Sequence, residues 1–311
     1  MEAPKTRSSS ILDSDVSVLI RLSFSFFVIF LVCVAIQAIY ASTIIHRRRM
    51  ARLPQLPFIF ILSTSITLIG VYVLHIVLFA TFFDASVTYF AVISPGPGAL
   101  VVVSLFLSRL ADFFMLSSLL SVLDYRISLF KRDILVTLFT TYKKRTFDII
   151  SMSLVGIAIL AVTVLEAMDA RSKESGFVPN SPSANEVFAL VQGMENTYVV
   201  CYVAASLNVV VSTMYTWAKM KEVDTFRDET TSVLLEFVSP VIVVRAAFEI
   251  SVAIVSSAKG FRTPFNPEVF LLVVTLVEGL AYVAVTILVL SLDGKMSEGN
   301  RRVVEVRLSL I

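Results

Sequence analysis

Long uninterrupted runs of apolar residues, separated by short polar or basic segments, dominate the chain. A transmembrane helix needs about 20 mainly apolar residues to cross the hydrocarbon layer, and seven segments reach that length. They are approximately Val18–Ile45, Leu56–Phe83, Ala99–Leu123, Phe147–Leu165, Val187–Trp217, Val233–Ala258 and Val269–Leu292. Polar and apolar residues do not alternate within these runs, as they do in the strands of a membrane barrel. The pattern therefore predicts an all-α bundle of seven transmembrane helices.

Composition supports a lipid environment. Hydrophobic residues make up 57% of the 311 residues and charged residues 16%, whereas soluble proteins contain roughly 45–50% and about 25%. The lipid bilayer is thus the first predicted partner. A net charge of +2 gives no reason to expect a nucleic acid partner.

The positions of the basic residues predict the orientation of the bundle. Most of the 26 Lys and Arg residues lie in the loops after the first, third and fifth runs and in the tail after the seventh. Loops rich in Lys and Arg face the cytoplasm, so the N-terminus is predicted to lie outside and the C-terminus inside. The predicted division is an extracellular segment 1–17, a membrane domain 18–292 and a short cytoplasmic tail 293–311. The sequence leaves open whether the membrane is the plasma membrane or an endomembrane.

The second cytoplasmic loop carries apolar residues at helical spacing. Ile127, Phe130, Ile134 and Leu138 recur every three or four residues, with cations between them. This pattern favours a short amphipathic helix on the membrane surface over a simple extension of helix three. Candidate contacts for anionic lipid or for a cytoplasmic signalling partner are Asp124, Arg126, Lys131, Arg132, Lys143, Lys144 and Arg145.

Ionisable side chains inside the apolar runs are the main functional signal, because charges in the membrane interior are costly unless paired or hydrated. Candidate ligand-binding residues are His75, Arg109, Asp112, Arg245, Glu249 and Glu278. At a rise of about 1.5 Å per residue, Arg109, Arg245 and Glu278 fall near the same depth. They are expected to clamp helices three, six and seven together, or to line a polar cavity open to the outside. The excess of carboxylates leaves room for a cationic or hydroxyl-bearing ligand.

Other polar residues in the runs have structural interpretations. Glu166 is expected to be solvated at the outer end of helix four, and Glu195 to cap helix five near the outer surface. Asn208 is expected to form a hydrogen bond between helices. Pro240 is expected to kink helix six unless the carbonyl that it leaves free finds another partner.

The topology resembles that of G-protein-coupled receptors, and in particular of divergent fungal seven-helix proteins. The segment His46–Arg52 followed by Leu56–Ile61, together with Ser239-Pro240, is similar to fungal pheromone receptors. The segment Arg245-Ala-Ala-Phe-Glu249 is similar to a pattern of lipid-translocating-exporter-like fungal proteins. Asp124-Tyr125-Arg126 stands where rhodopsin-like receptors carry Glu/Asp-Arg-Tyr, but in a different order. The resemblance implies a receptor-like fold that couples to a cytoplasmic partner.

Three functions are consistent with the sequence, in the order receptor-like sensor, transporter and membrane-embedded cyclase or isomerase. In the sensor, His75, Arg109, Glu249 and Glu278 line a ligand cavity, whereas in a transporter the same charges line a path. In the enzyme, Asp112 and Glu278 are the acid candidates. Catalytic motifs, metal-ligand pairs and phosphate loops are missing from the sequence, so a non-enzyme without cofactor or metal is favoured. A scaffold without ligand remains a fourth reading.

Overall fold

The fold is a bundle of seven long helices. The computed structural model describes residues 9–51, 53–82, 98–130, 138–174, 182–223, 229–257 and 267–309. We number the helices α1 Ser9–Met50, α2 Leu56–Phe82, α3 Gly98–Phe130, α4 Leu138–Glu174, α5 Pro182–Val223, α6 Glu229–Val233 continued by Leu234–Val238 and Ser239–Ser257, and α7 Pro267–Ser309. The described residues contain no strand. The predicted all-α, seven-helix architecture is confirmed, and each helix contains a span long and apolar enough to cross a membrane.

The outer surface of the bundle is apolar, which is the reverse of a soluble protein. On α4, for example, Ile150, Leu154, Ile157 and Val164 follow one another at helical spacing and are all exposed. On α7 the exposed stripe is formed by Val273, Leu280 and Ile287, seven residues apart. Large apolar stripes of this kind are stable only against lipid or a partner. They support the membrane location that the hydropathy predicts.

Neighbouring helices are antiparallel, and α1 and α7 run in the same direction side by side. Gln37 Nε2 of α1 donates to the carbonyl of Val283 in α7 at 3.2 Å. Further along both helices, Arg48 donates to the carbonyl of Asp293 at 3.0 Å. The approach is close at Gly279, where an added Cβ would collide with the ring of Phe30. The bundle is therefore closed between its first and last helices.

Helix α6 contains a π-helical turn directly before its proline. In this turn, Leu234–Val238, the carbonyl of Leu234 accepts the backbone N–H of Ser239 and also the Ser239 hydroxyl at 3.0 Å. Pro240 has no N–H to donate, and π turns commonly absorb such breaks in the ladder. The hydroxyl of Ser239 thus supports the backbone at the position where a kink was expected.

Every helix except α2 extends beyond its predicted apolar run, and two of these extensions bear on other predictions. Helix α3 continues to Phe130, so Ile127 and Phe130 belong to an extension of α3, while residues 131–137 of the predicted surface helix lie outside the described residues. Helix α7 continues to Ser309, so most of the predicted tail continues the last helix. The orientation of the termini across a membrane stays a prediction from the distribution of Lys and Arg.

Candidate functional site

The charged residues of α6 and α7 lie on the faces that point into the bundle. Arg245 and Glu249 are one turn apart on α6 and share a face with Ile242, which is fully buried. On α7, Glu278 is one turn from Tyr282, which is also buried, while Leu280 faces outward. Because residues four apart share a helix face, the sequence itself directs these charges away from lipid.

Asp112 of α3 is the centre of the site. It is 1% exposed and receives hydrogen bonds from two tyrosine hydroxyls. Tyr198 of α5 donates at 3.1 Å and Tyr282 of α7 at 2.8 Å. Arg245 of α6 donates through Nη2 at 3.4 Å. One carboxylate therefore connects four helices.

The guanidinium of Arg245 contacts three carboxylates. Its side chain is 1% exposed, and besides Asp112 it forms ion pairs with Glu249 on the same helix and with Glu278 on α7, the latter at 3.3 Å. The guanidinium also lies over the Tyr282 ring, 5.5 Å from the centroid. Its Nε has no hydrogen-bond partner among the described residues. We call Asp112, Arg245, Glu249 and Glu278 the Arg245 cluster.

The Arg245 cluster is unbalanced in charge. One guanidinium faces three carboxyl groups, so full ionisation leaves an excess of two negative charges inside the bundle. Within the described ranges, no three His, Cys, Asp or Glu side chains stand close enough together to hold a metal ion. The excess charge can instead be met by protons on the carboxylates or by an organic cation.

The four side chains of the Arg245 cluster differ in their exposure to solvent. The side chain of Glu278 is 29% exposed and that of Glu249 14% exposed, while Arg245 and Asp112 are buried. Both glutamates lie on the interior faces of their helices, and the exposed stripe of α7 passes through Leu280 instead. Glu278 and Glu249 are therefore the residues of the cluster that keep accessible side-chain surface.

Arg109 does not join this cluster, contrary to the expected meeting of both arginines with Glu278. It forms a two-pronged ion pair with Glu166 of α4, with N–O distances of 2.8 and 2.7 Å. Glu195 of α5 lies 3.7 Å from the same guanidinium, and the Tyr198 ring lies 5.4 Å from it. We call Arg109, Glu166 and Glu195 the Arg109 cluster.

Two sequence predictions are wrong in this cluster. Glu166 was expected to be solvated, but its side chain is only 10% exposed because Arg109 reaches it from α3. Glu195 was expected only to cap α5, but it lies against Arg109. Depth along a helix does not decide which neighbouring helix an arginine side chain reaches, and Arg109 reaches α4.

His75 lies apart from both clusters. Its ring stacks on Phe27 of α1 with centroids 4.7 Å apart. Its Nδ1 lies 2.8 Å from the carbonyl of Val71 and 3.2 Å from the Ser104 hydroxyl. The structure thus places this candidate residue at the packing of α1, α2 and α3.

A separate ion network occupies the end of the bundle where the loop residues are basic. Asp293 of α7 pairs with both Arg47 and Arg48 of α1. Arg48 is 2% exposed, donates to the carbonyl of Pro54 at 3.2 Å and lies over the Phe58 ring. These contacts hold α7 to α1 and to the start of α2.

The predicted coupling residues at this end have different environments. Lys143 and Arg145 are exposed, while Asp124 is half-buried and Arg126 is buried. Lys144 pairs with Asp148 at 3.4 Å. Lys131 and Arg132 lie outside the described residues. Only part of this set is therefore available on the described surface.

Asp148 also explains the polar residue in the middle of α5. It accepts a hydrogen bond from Asn208 Nδ2 at 2.8 Å, so Asn208 links α5 to α4 as expected.

Sequence reasoning missed the two tyrosines that hold Asp112. A signal was available for Tyr282, which lies four residues after Glu278 and so shares its interior face. Tyr198 lies three residues after Glu195 in the same way. Tyrosines in apolar runs were treated as hydrophobic, although a buried hydroxyl usually has a hydrogen-bond partner.

Comparisons with protein-family models, with curated proteins and with solved structures find no match to this chain.

Proposed function

We propose that this multi-pass membrane protein is receptor-like and binds an organic cation, such as a protonated amine, at Glu278 and Glu249. The observation that carries the proposal is the accessible side-chain surface of Glu278 and Glu249 beside a buried arginine that faces three carboxyl groups. An ammonium group placed there would offset the excess negative charge of the Arg245 cluster. Because the surroundings are apolar, that attraction would be stronger than in water.

The surroundings also favour a small ligand with an apolar body. The ring of Tyr72 lies against Phe30 of α1, with centroids 6.1 Å apart, and Phe30 lies against Gly279, the neighbour of Glu278. Ligand sites in helical bundles typically combine aromatic walls with a few polar groups that fix orientation. Glu278 would supply the orienting charge.

The receptor-like proposal is favoured over a transporter by the basic end of the bundle. A transporter must open its path to both sides of the membrane, whereas Arg48 and Asp293 bind α1 and α7 to each other and to the start of α2 at that end. A sensor needs only a change of helix packing there. The predicted cytoplasmic orientation of this end would place the exposed Lys143 and Arg145 against a signalling partner or anionic lipid.

Ligand binding is tested by thermal unfolding of the detergent-purified protein with a panel of aromatic and alkyl amines and their matching alcohols. We expect a subset of amines, but not their alcohols, to raise the melting temperature. Glu278→Gln should remove the effect. Glu186→Gln is the matched control, because Glu186 is an exposed carboxylate near the start of α5. Equal shifts with amines and alcohols, or an unchanged amine effect in Glu278→Gln, would contradict the proposal.

Uptake measurements separate a receptor from a transporter. The purified protein is reconstituted in liposomes and the exchange of a labelled form of the binding amine is followed. A receptor-like protein should bind the amine without exchanging it across the vesicle membrane. Exchange that depends on Glu278 would favour the transporter instead.

A further inference from the structure

Two tyrosines make matched contacts in the centre of the bundle. The hydroxyls of Tyr198 and Tyr282 both donate to Asp112, at 3.1 and 2.8 Å. The ring of Tyr198 faces the guanidinium of Arg109 at 5.4 Å, and the ring of Tyr282 faces that of Arg245 at 5.5 Å. Tyr282 therefore contacts only the Arg245 cluster of the two, with its hydroxyl also 3.3 Å from the Ser108 carbonyl, whereas Tyr198 contacts both clusters.

We infer that Tyr198 is a positioning residue that couples the Arg109 cluster to the Arg245 cluster. Its side chain is rigid and its two ends are held by different groups. The ring is attracted to Arg109, and the hydroxyl is bound to Asp112. A displacement of Arg109 would therefore move the donor that Asp112 accepts.

A displacement of the Tyr198 hydroxyl would affect Arg245, because both groups donate to the same carboxylate, Asp112. Asp112 receives hydrogen bonds from Tyr198, Tyr282 and Arg245 and is almost fully buried. Hydrogen bonds in a low-dielectric network influence one another. Loss of the Tyr198 donor would strengthen the hold of Asp112 on Arg245, and so weaken the hold of Arg245 on Glu249 and Glu278.

The Arg109 cluster is the one that contains the most exposed carboxylate. The side chain of Glu195 is 41% exposed, so the charge next to Arg109 can respond to the surroundings while Asp112 cannot. Tyr198 would thus let the α4–α5 side of the bundle set how freely Glu278 is available on the α6–α7 side. This inference concerns the same site as the proposed function and draws its meaning from it, but its test uses the protein without ligand.

The test is a double-mutant cycle of Glu166→Gln and Glu278→Gln, one change in each cluster. Reversible unfolding in mixed micelles is measured for the four members of the cycle in three backgrounds: the natural chain, Tyr198→Phe and Tyr282→Phe. In the natural chain we expect the two effects to deviate from additivity by at least about threefold in the unfolding equilibrium constant. The deviation should fall to within error in Tyr198→Phe and persist in Tyr282→Phe.

Tyr282→Phe is the matched control because it removes a hydroxyl that donates to Asp112, together with that hydroxyl's contact to the Ser108 carbonyl, and leaves the Arg109 side chain untouched. A tyrosine that only filled space would lower stability in all four members alike and leave the deviation from additivity unchanged. Additive effects in the natural chain, or an equal loss of coupling in both tyrosine variants, would overturn the inference. These outcomes are independent of whether any amine binds.

A second variant covers the case in which Tyr198→Phe does not fold. Arg109→Lys keeps a positive charge opposite Glu166 but loses the planar group that stacks on Tyr198. The deviation from additivity should fall in this background as well. A deviation that persists in Arg109→Lys would overturn the inference.

Discussion

Arg109 and Arg245 are both buried arginines, but their surroundings differ in one respect. Arg109 has a single close partner, Glu166, which it engages with two parallel hydrogen bonds. Arg245 is divided among Asp112, Glu249 and Glu278, and its Nε is left without a hydrogen bond among the described residues. A saturated pair holds helices together. A divided arginine with excess carboxylates leaves the negative charge to which the proposed ligand would bind.

Removing the arginines should give the largest effects. Arg245→Gln leaves three carboxylates facing one another without a cation, and loss of one partner of a buried ion pair costs about 3–5 kcal/mol. Arg109→Gln leaves two carboxylates rather than three, one of them 41% exposed, and should cost less. Unfolding of both variants in mixed micelles checks the order. If Arg109→Gln is the more damaging change, the comparison between the two arginines fails.

Glu166→Gln should be the most damaging single carboxylate change in the Arg109 cluster. It breaks a two-pronged pair, so a loss of about 1–3 kcal/mol is expected. Glu195→Gln serves as the control, because Glu195 is more exposed and lies at 3.7 Å from Arg109. It should change stability by less than about 0.5 kcal/mol. Equal losses in the two variants would show that Glu195 carries as much of the clamp as Glu166.

Gly279→Ala should disturb the placement of Glu278. The added Cβ would collide with the ring of Phe30, and overpacking of this kind typically costs about 1–3 kcal/mol. Phe30→Leu in the same chain should recover part of the loss because it makes room. Thermal unfolding of the single and double variants measures this. Absence of any recovery would place the cause elsewhere than in the α1–α7 contact.

Glu278→Gln should have the smallest effect on stability, with the opposite sign. Removing one charge from an overloaded cluster relieves repulsion, while Arg245 keeps Asp112 and Glu249 as partners. We expect a change between zero and about 1 kcal/mol in favour of the folded state. Unfolding in mixed micelles, compared with Glu166→Gln, provides the measurement. A loss as large as that of Glu166→Gln would mean that Glu278 is a structural partner like Glu166.

The helices could be predicted from the sequence, but the pairing of the charges could be predicted only in part. Length and hydropathy fix how many helices cross a membrane and at what height each residue lies. They do not fix how each helix is rotated toward its neighbours. Arg245 and Glu278 do meet in the structure, at the common depth that was expected. Arg109 lies at a similar depth on α3, but its side chain extends to Glu166 on α4.

The tyrosine contacts were beyond prediction for a different reason. A tyrosine in an apolar run packs as an aromatic ring whether or not its hydroxyl is used. Only the tertiary arrangement decides that Tyr198 and Tyr282 end on the same carboxylate. The exposed cations at the basic end were visible in the sequence, whereas the burial of Arg126 and Arg48 was not.

The π turn of α6 has a consequence for the length of the chain. A turn of this type holds one residue more than an α-helical turn, so Leu234–Val238 absorbs an extra residue between Thr231 and Arg245. Deletion of the outward-facing Phe237 would restore a regular helix and leave both of those residues on their present faces. A deletion within any uninterrupted span of the other helices would rotate everything beyond it by about 100°. Helix α6 is therefore the helix in which evolution could gain or lose a residue without turning the charges of the site into lipid.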